Sequence, residues 1–243
     1  PTPYAAELLF RLRETLDDAR RAGAAAIIER HEEAMRAFWD DADVLLDGSR
    51  ELQFALRFNL FHLIQATARC EGEGVPAKGM TGVGYEGHYF WDTEMYLLPF
   101  LDYVRPSIAR HLLLHRWRML PQARERAREL GHRGALFPWR TINGEEASAN
   151  FAAGTAQYHI DADIAFAVRK YVAVTGDREF LERYGAEILV ETARLWADIG
   201  FFSPRRGGKY VINGVTGPDE YSSLVDNNAF TNLMARENLQ MAA

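Results

Sequence analysis

The chain has 243 residues, of which 48% are hydrophobic, 12% aromatic and 26% charged; that is enough apolar material for a sizeable core and excludes a disordered or collagen-like chain. Asp plus Glu outnumber Lys plus Arg by 34 to 28, for a net charge of -6, which argues against a nucleic-acid partner. The single cysteine, Cys70, can close no internal disulfide; with no basic leader and no apolar run of ~18 residues, the expectation is a cytoplasmic protein without a membrane span.

Helical periodicity dominates. Over residues 4–22 the apolar positions Ala5, Leu8, Leu9, Leu12 and Leu16 recur at three- and four-residue steps, and over 23–38 Ile27, Ile28, Met35 and Phe38 fall on one side with Arg, Glu and His on the other. Both stretches read as amphipathic helices of an N-terminal linker, placed at 1–45. Asp47-Gly48-Ser49 offers a turn and an N-cap for a helix running to about residue 68. Residues 71–90 hold six glycines and a proline and read as a long loop that hands over to a helix at Trp91-Asp92-Thr93-Glu94. Further helices are expected at about 106–130, 156–175 and 178–199, and from about Asn228. Between them lie Gly/Pro-rich aromatic loops at 131–154 and 201–227, the latter with a short hairpin around Arg206-Gly207-Gly208 whose second strand spans 209–212. Helices joined by long loops, with no βαβ alternation, indicate an all-α fold such as an α/α barrel, its site built from the loops at one end.

Three loop clusters hold what a sugar site requires, aromatic platforms beside carboxylate, amide and guanidinium groups. The first spans Gly84 to Glu94. The second is Phe137-Pro138-Trp139-Arg140 with Gly144-Glu145-Glu146 behind it and His159 at the start of the next helix. The third is Thr216-Gly217-Pro218-Asp219-Glu220-Tyr221. Position by position, blander readings compete: Asp92-Thr93-Glu94 suits a helix start, Trp91 and Trp139 suit a core, and Gly217-Pro218-Asp219 is an ordinary turn. His88, His111, His115 and His159 lack zinc-like spacing, so no metal ligand is named.

The strings TGVGYEGHYFWDTEMYLLPF, ALFPWRTINGEE, GTAQYHIDADIAFAV and NGVTGPDEYSSLVDNNAFTN resemble, in order, motifs of glycoside hydrolase family 65, the family of the maltose, trehalose and kojibiose phosphorylases and related α-glucoside hydrolases. The resemblance covers about residues 25–240. It implies an (α/α)6-barrel catalytic domain, here about its first half over 46–243, preceded in the family by a β-sandwich and linking helices. The glutamate of the family's GPDEY motif is the general acid, which carries over to Glu220. Trp91 and Asp92 match the pair that shapes the subsite for the transferred glucose, with Asp92 accepting a sugar hydroxyl. Trp139, Arg140 and His159 fall in segments that line the acceptor side.

That resemblance implies an inverting glycoside phosphorylase that turns a trehalose- or kojibiose-like α-glucoside into β-glucose 1-phosphate and glucose. The substrates are then a disaccharide and inorganic phosphate, with no cofactor, and a homodimer is the family habit. A departing sugar oxygen needs a proton, whereas phosphate arrives as a nucleophile and needs only to be positioned, so one catalytic carboxylate suffices. The alternatives are an inverting α-glucoside hydrolase, which needs a second carboxylate ~6.5–9.5 Å away, and an inactive carbohydrate-binding fragment. Ser222 stands where the maltose phosphorylases usually carry His, which turns the reading away from maltose. The family's phosphate-binding segment lies C-terminal to this chain, which is therefore read as a fragment expected to be inactive alone.

Overall fold

The structure is a computed structural model that describes residues 3–67, 74–79, 82, 84–148 and 151–243. Cys70, the opening of the glycine-rich loop, and Thr81 and Val83 of the first motif lie outside the described residues. The chain divides into two compact units, 1–60 and 61–243. This division falls inside a helix.

In the first unit, α1 (Pro3–Ala42) is two helical stretches meeting at Gly23, whose φ of 76° and ψ of 160° interrupt the helix. Glycine takes that backbone without steric penalty, and the break falls at the junction of the two periodic segments. α2 (Arg50–Thr67) begins with Ser49 Oγ accepting from the Leu52 N–H at 3.2 Å, which fills one of the donors a helix start leaves open. Gln53 fastens the preceding turn, accepting from Leu46 N at 2.7 Å and donating to Val44 O at 3.0 Å. The stripe residues Leu8, Leu12, Leu16, Ile27 and Ile28 remain exposed.

The second unit carries α3 (Leu98–Val104), α4 (Pro106–Arg118), α5 (Leu120–Glu129), α6 (Ala152–Thr155), α7 (His159–Thr175), α8 (Arg178–Phe180), α9 (Ala186–Ile199) and α10 (Ala229–Ala242). The single helix expected over 106–130 is in fact two. Met119 caps α4 and Pro121 stands in the first turn of α5, where its missing N–H would have had no helical partner. The helix expected from 156 starts at His159, because Ala156 to Tyr158 form the turn that closes α6.

α7 is the helix the others surround, packing against α3, α4, α9 and α10. Its apolar residues Ile160, Ile164 and Val168 lie in a core with Leu101, Leu112 and Phe180, and Ala162 joins a second cluster with Trp196, Val215 and Met234. A helix buried nearly all round is expected to be apolar all round. α7 instead buries His159, Asp161 and Asp163 completely. Strands β1 (Phe201–Ser203) and β2 (Lys209–Val211) pair antiparallel through a turn with Gly207 and Gly208 at positive φ, the hairpin read from the sequence; it is the only sheet among the described residues.

Candidate active site

Four segments of the second unit converge. The loop ending in Trp91 and the loop carrying Trp139 are stitched together by a bridge in which Tyr89 N–H donates to Thr141 O at 2.7 Å and Thr141 N–H donates back at 3.2 Å. The GPDEY loop is pinched at its base by a second bridge, between Val215 and Val225, and Thr216 N–H donates to Ala156 O at 3.0 Å, tying the loop to the segment before α7. Backbone hydrogen bonds thus tie each loop to a neighbouring segment.

Beneath the first loop, Glu94 accepts from Arg116 through both carboxylate oxygens, at 2.8 and 2.9 Å, and from the Tyr89 hydroxyl at 2.7 Å. The Arg116 guanidinium lies 4.5 Å from the centroid of the Tyr89 ring. The turn that follows Asp92, Thr93–Leu97, is π-helical, a widening of the helix often found at functional sites. Asp92 makes no side-chain cap there, so its carboxylate is left available. It lines an open cleft of about 440 Å³ with Lys78, Phe90, Thr93 and Tyr96. Partial loss of water raises the Asp92 carboxyl above its ordinary range, and the negative charges of Glu94 and Glu220 add to the rise.

Trp91 is buried, and its ring meets His159 edge-on with centroids 4.9 Å apart. Trp139 packs between Phe90 at 5.8 Å and Phe151 at 5.6 Å. Gly154 lies flat against the Trp139 ring, where any Cβ would collide with it. Glu146 holds the Trp139 loop by accepting from the N–H of Trp139 at 2.8 Å and of Arg140 at 3.3 Å, with Arg126 pairing at 3.3 Å. From below, Asp161 of α7 accepts the Phe137 N–H at 2.8 Å, and burial raises its carboxyl well above the usual range. Arg140 turns toward the first loop, donating to Glu86 at 2.7 Å and lying 3.2 Å from His88 Nδ1.

Glu220 sits exposed at the tip of its loop with φ of 60°, a left-handed conformation uncommon for a residue with a side chain. Its Oε1 accepts from Gln157 Nε2 at 3.1 Å. Gln157 Oε1 in turn faces His159 Nε2 at 3.3 Å, and His159 Nδ1 lies 2.6 Å from Asp163 Oδ2. Asp219 is occupied locally: the hydroxyl and backbone N–H of Ser222 donate to it at 2.8 and 3.2 Å and hold its carboxyl below the ordinary range. Glu220 is the carboxylate of that motif whose contact runs to the other loops.

Of the residues singled out from the sequence, Trp91, His159 and Glu220 thus belong to one connected set, and Asp92 follows Trp91 at the cleft, the Glu220 charge adding a small part to the rise of its carboxyl. Trp139 and Arg140 approach from the neighbouring loop through Phe90 and Glu86. His159 is fully buried and reaches Glu220 only through Gln157. Gln157, Asp163 and Arg116 had not been singled out. His159 and Asp163 are spaced i, i+4 on a helix, a pairing visible in sequence; Glu94 and Arg116 lie 22 residues apart and carry no such signal. Among the described residues no three His, Cys, Asp or Glu side chains gather as metal ligands would, and no helix is long and apolar enough to cross a membrane.

Comparison with known proteins gives this arrangement a context. The sequence profile of the glycosyl hydrolase family 65 central catalytic domain matches residues 57–243. An α,α-trehalose phosphorylase of Thermoanaerobacter brockii is 54% identical over 229 residues, 94% of this chain and 30% of that protein. A kojibiose phosphorylase of Halothermothrix orenii is 40% identical over 243 residues, again 94% of this chain and 31% of that protein. A solved structure described as a kojibiose phosphorylase from human microbiome superposes with a TM-score of 0.88 at 32% identity, over 98% of this chain and 32% of that one. The chain therefore spans about 30% of the length of the curated relatives it matches.

Proposed function

Since the chain belongs to glycosyl hydrolase family 65 and carries part of its central catalytic domain, we propose that it supplies the acid half of a site for phosphorolysis of an α-linked glucose disaccharide. The reaction is inverting. A phosphate oxygen forms its bond to C1 of the transferred glucose from the face opposite the glycosidic oxygen. The C1–O electron pair leaves with that oxygen, which takes the proton of Glu220. The products are β-glucose 1-phosphate and free glucose, and Glu220, left as a carboxylate, is reprotonated from solvent.

In this reading Trp91 and Asp92 form the subsite of the transferred glucose, with Asp92 accepting a hydroxyl. Trp139 and Arg140 serve the departing sugar. His159 lies behind the reacting groups rather than on the sugar. Phosphate is a co-substrate and no cofactor takes part, because phosphate already carries the nucleophilic electron pair and needs donors and positive charge to hold it. Trehalose stands ahead of kojibiose as substrate, in keeping with the higher identity to the trehalose enzyme, 54% against 40%.

The observation that supports this most is the contact that carries Glu220 into the cluster of loops: its Oε1 accepts from Gln157 Nε2 at 3.1 Å, and Gln157 in turn faces His159, which packs against Trp91. In this reading Glu220 stands beside the bond that joins a glucose held at Asp92 to the second sugar. The test incubates the full-length protein with trehalose, kojibiose, nigerose or maltose, with and without phosphate, and identifies the released anomer. Phosphate-dependent β-glucose 1-phosphate, lost in Glu220→Gln, is the expected result. Free glucose formed equally without phosphate would point to the hydrolase instead.

A further inference from the structure

A general acid must present its proton to the substrate and not to the protein, and the contacts behind Glu220 bear on which of its oxygens does so. We propose that Gln157 is a positioning residue that directs the proton of Glu220 onto Oε2, and that the buried His159–Asp163 pair fixes the Gln157 amide in the orientation this needs. The proposal rests on the reading of Glu220 as the acid.

A neutral carboxylic acid has one oxygen that carries the proton and one that only accepts. Gln157 Nε2 donates to Glu220 Oε1 at 3.1 Å, so Oε1 is the accepting oxygen and the proton is left on Oε2. With its amide turned over, Gln157 would offer a carbonyl oxygen to Glu220, and the acid would spend its proton on that oxygen. What prevents this is His159. Gln157 Oε1 lies 3.3 Å from His159 Nε2, and a proton on Nε2 gives that oxygen its donor while repelling an amide N–H.

Asp163 keeps the proton on Nε2. His159 Nδ1 and Asp163 Oδ2 are 2.6 Å apart with both side chains completely buried, so one proton lies between them. Whether written as imidazolium with carboxylate or as imidazole with carboxylic acid, the pair has no net charge and Nε2 still bears hydrogen. Removing that proton would leave a net negative charge in the interior, near the Glu94 carboxylate with which Arg116 is already paired and near the buried Asp161. Burial and the Glu94 charge raise the Asp163 carboxyl while His159 and Arg116 lower it. The imidazole cannot turn away, because the rings of Trp91 and Phe230 meet it edge-on at 4.9 and 5.5 Å. Gln157 itself is 2% exposed, so water does not compete for its amide.

The experiment compares two substrates in the full-length protein with phosphate present: the disaccharide, whose departing oxygen needs a proton, and α-glucosyl fluoride, whose fluoride leaves as an anion. For Gln157→Leu the expected result is a fall of about 10–100-fold in kcat on the disaccharide, part of what a general acid provides. KM should change little, and turnover of the fluoride should stay near the wild-type rate. Gln157→Glu, which keeps the volume but replaces the N–H donor with an oxygen, should show the same selective loss and serves if the leucine variant does not fold. Equal losses on both substrates, or an unchanged kcat on the disaccharide, would overturn the proposal. Glu220→Gln, run alongside, separates the two levels. If it turns over the disaccharide normally, the acid assignment and this proposal fall together; if it loses the disaccharide alone while Gln157→Leu does not, only the proposal falls.

Discussion

Glu94 and Arg116 form a two-pronged ion pair, at 2.8 and 2.9 Å, in which neither side chain has any exposed surface. A buried pair is kept by the penalty of breaking it: removing one partner strands a charge, at about 3–5 kcal/mol. Arg116→Met should therefore lower stability by about that much, and adding Glu94→Leu should restore part of the loss. Thermal unfolding of the single and double variants checks this. Breaking the exposed pair Arg183–Glu179 should leave the midpoint unchanged, since water already solvates both charges.

Asp102 on α3 is 2% exposed and neither of its carboxyl oxygens has a hydrogen-bond partner among the described residues. Burial raises its carboxyl to about 6, against the pull of Lys170. The native state then holds this proton more tightly than the unfolded chain does. Its stabilising contribution is full below the ordinary carboxylate range and is lost as pH rises through about 6. Asp102→Asn should be more stable than wild type at neutral pH by roughly 1–3 kcal/mol, the cost of an unpaired buried group, with the gap closing in acid. Parallel stability curves for the two proteins would refute this.

Asn228 caps α10, its side-chain oxygen accepting from the N–H of Thr231 at 3.1 Å. Asn228→Ala should reduce stability by about 1 kcal/mol, measured by denaturant unfolding, while Asn228→Ser should retain most of it.

Glu146 holds the backbone on both sides of the Trp139–Arg140 bond. Because small misplacements of binding groups are expensive in rate, Glu146→Ala should raise KM for the disaccharide on the order of 10-fold with little change in KM for phosphate. Steady-state kinetics varying each substrate in turn would decide it.

Asp92 carries a partly desolvated carboxylate at the cleft. Asp92→Asn keeps its shape and removes the charge, so kcat/KM for the disaccharide should drop about 10–100-fold, the worth of a hydrogen bond to a charged group. An unchanged kcat/KM would remove Asp92 from the glucose subsite.

The features legible in the sequence are those encoded over a few residues. Ser49 and Asn228 announce helix starts because a short polar side chain satisfies the first free N–H groups, and Gly207-Gly208 announces the hairpin because its turn needs positive φ. The same local logic misled at 106–130, where continuous helical periodicity hid the break that Pro121 marks. Gln157 could not be picked out: a glutamine before a helix has no periodic signature, and its importance comes from a carboxylate 63 residues away.

By itself, then, the sequence determined the helical class, the approximate elements and the family, since periodicity, capping and ordered motif strings are properties of neighbouring residues. Only the tertiary structure decided that Asp219 is tied up by Ser222 while Glu220 reaches Gln157, and that His159 is fully buried against Trp91 and meets Glu220 through Gln157. The contacts of Glu220 with Gln157 and of His159 with Trp91 join segments far apart in the chain, settled by how α7 buries its polar side chains and by the backbone bridges that hold the loops above it.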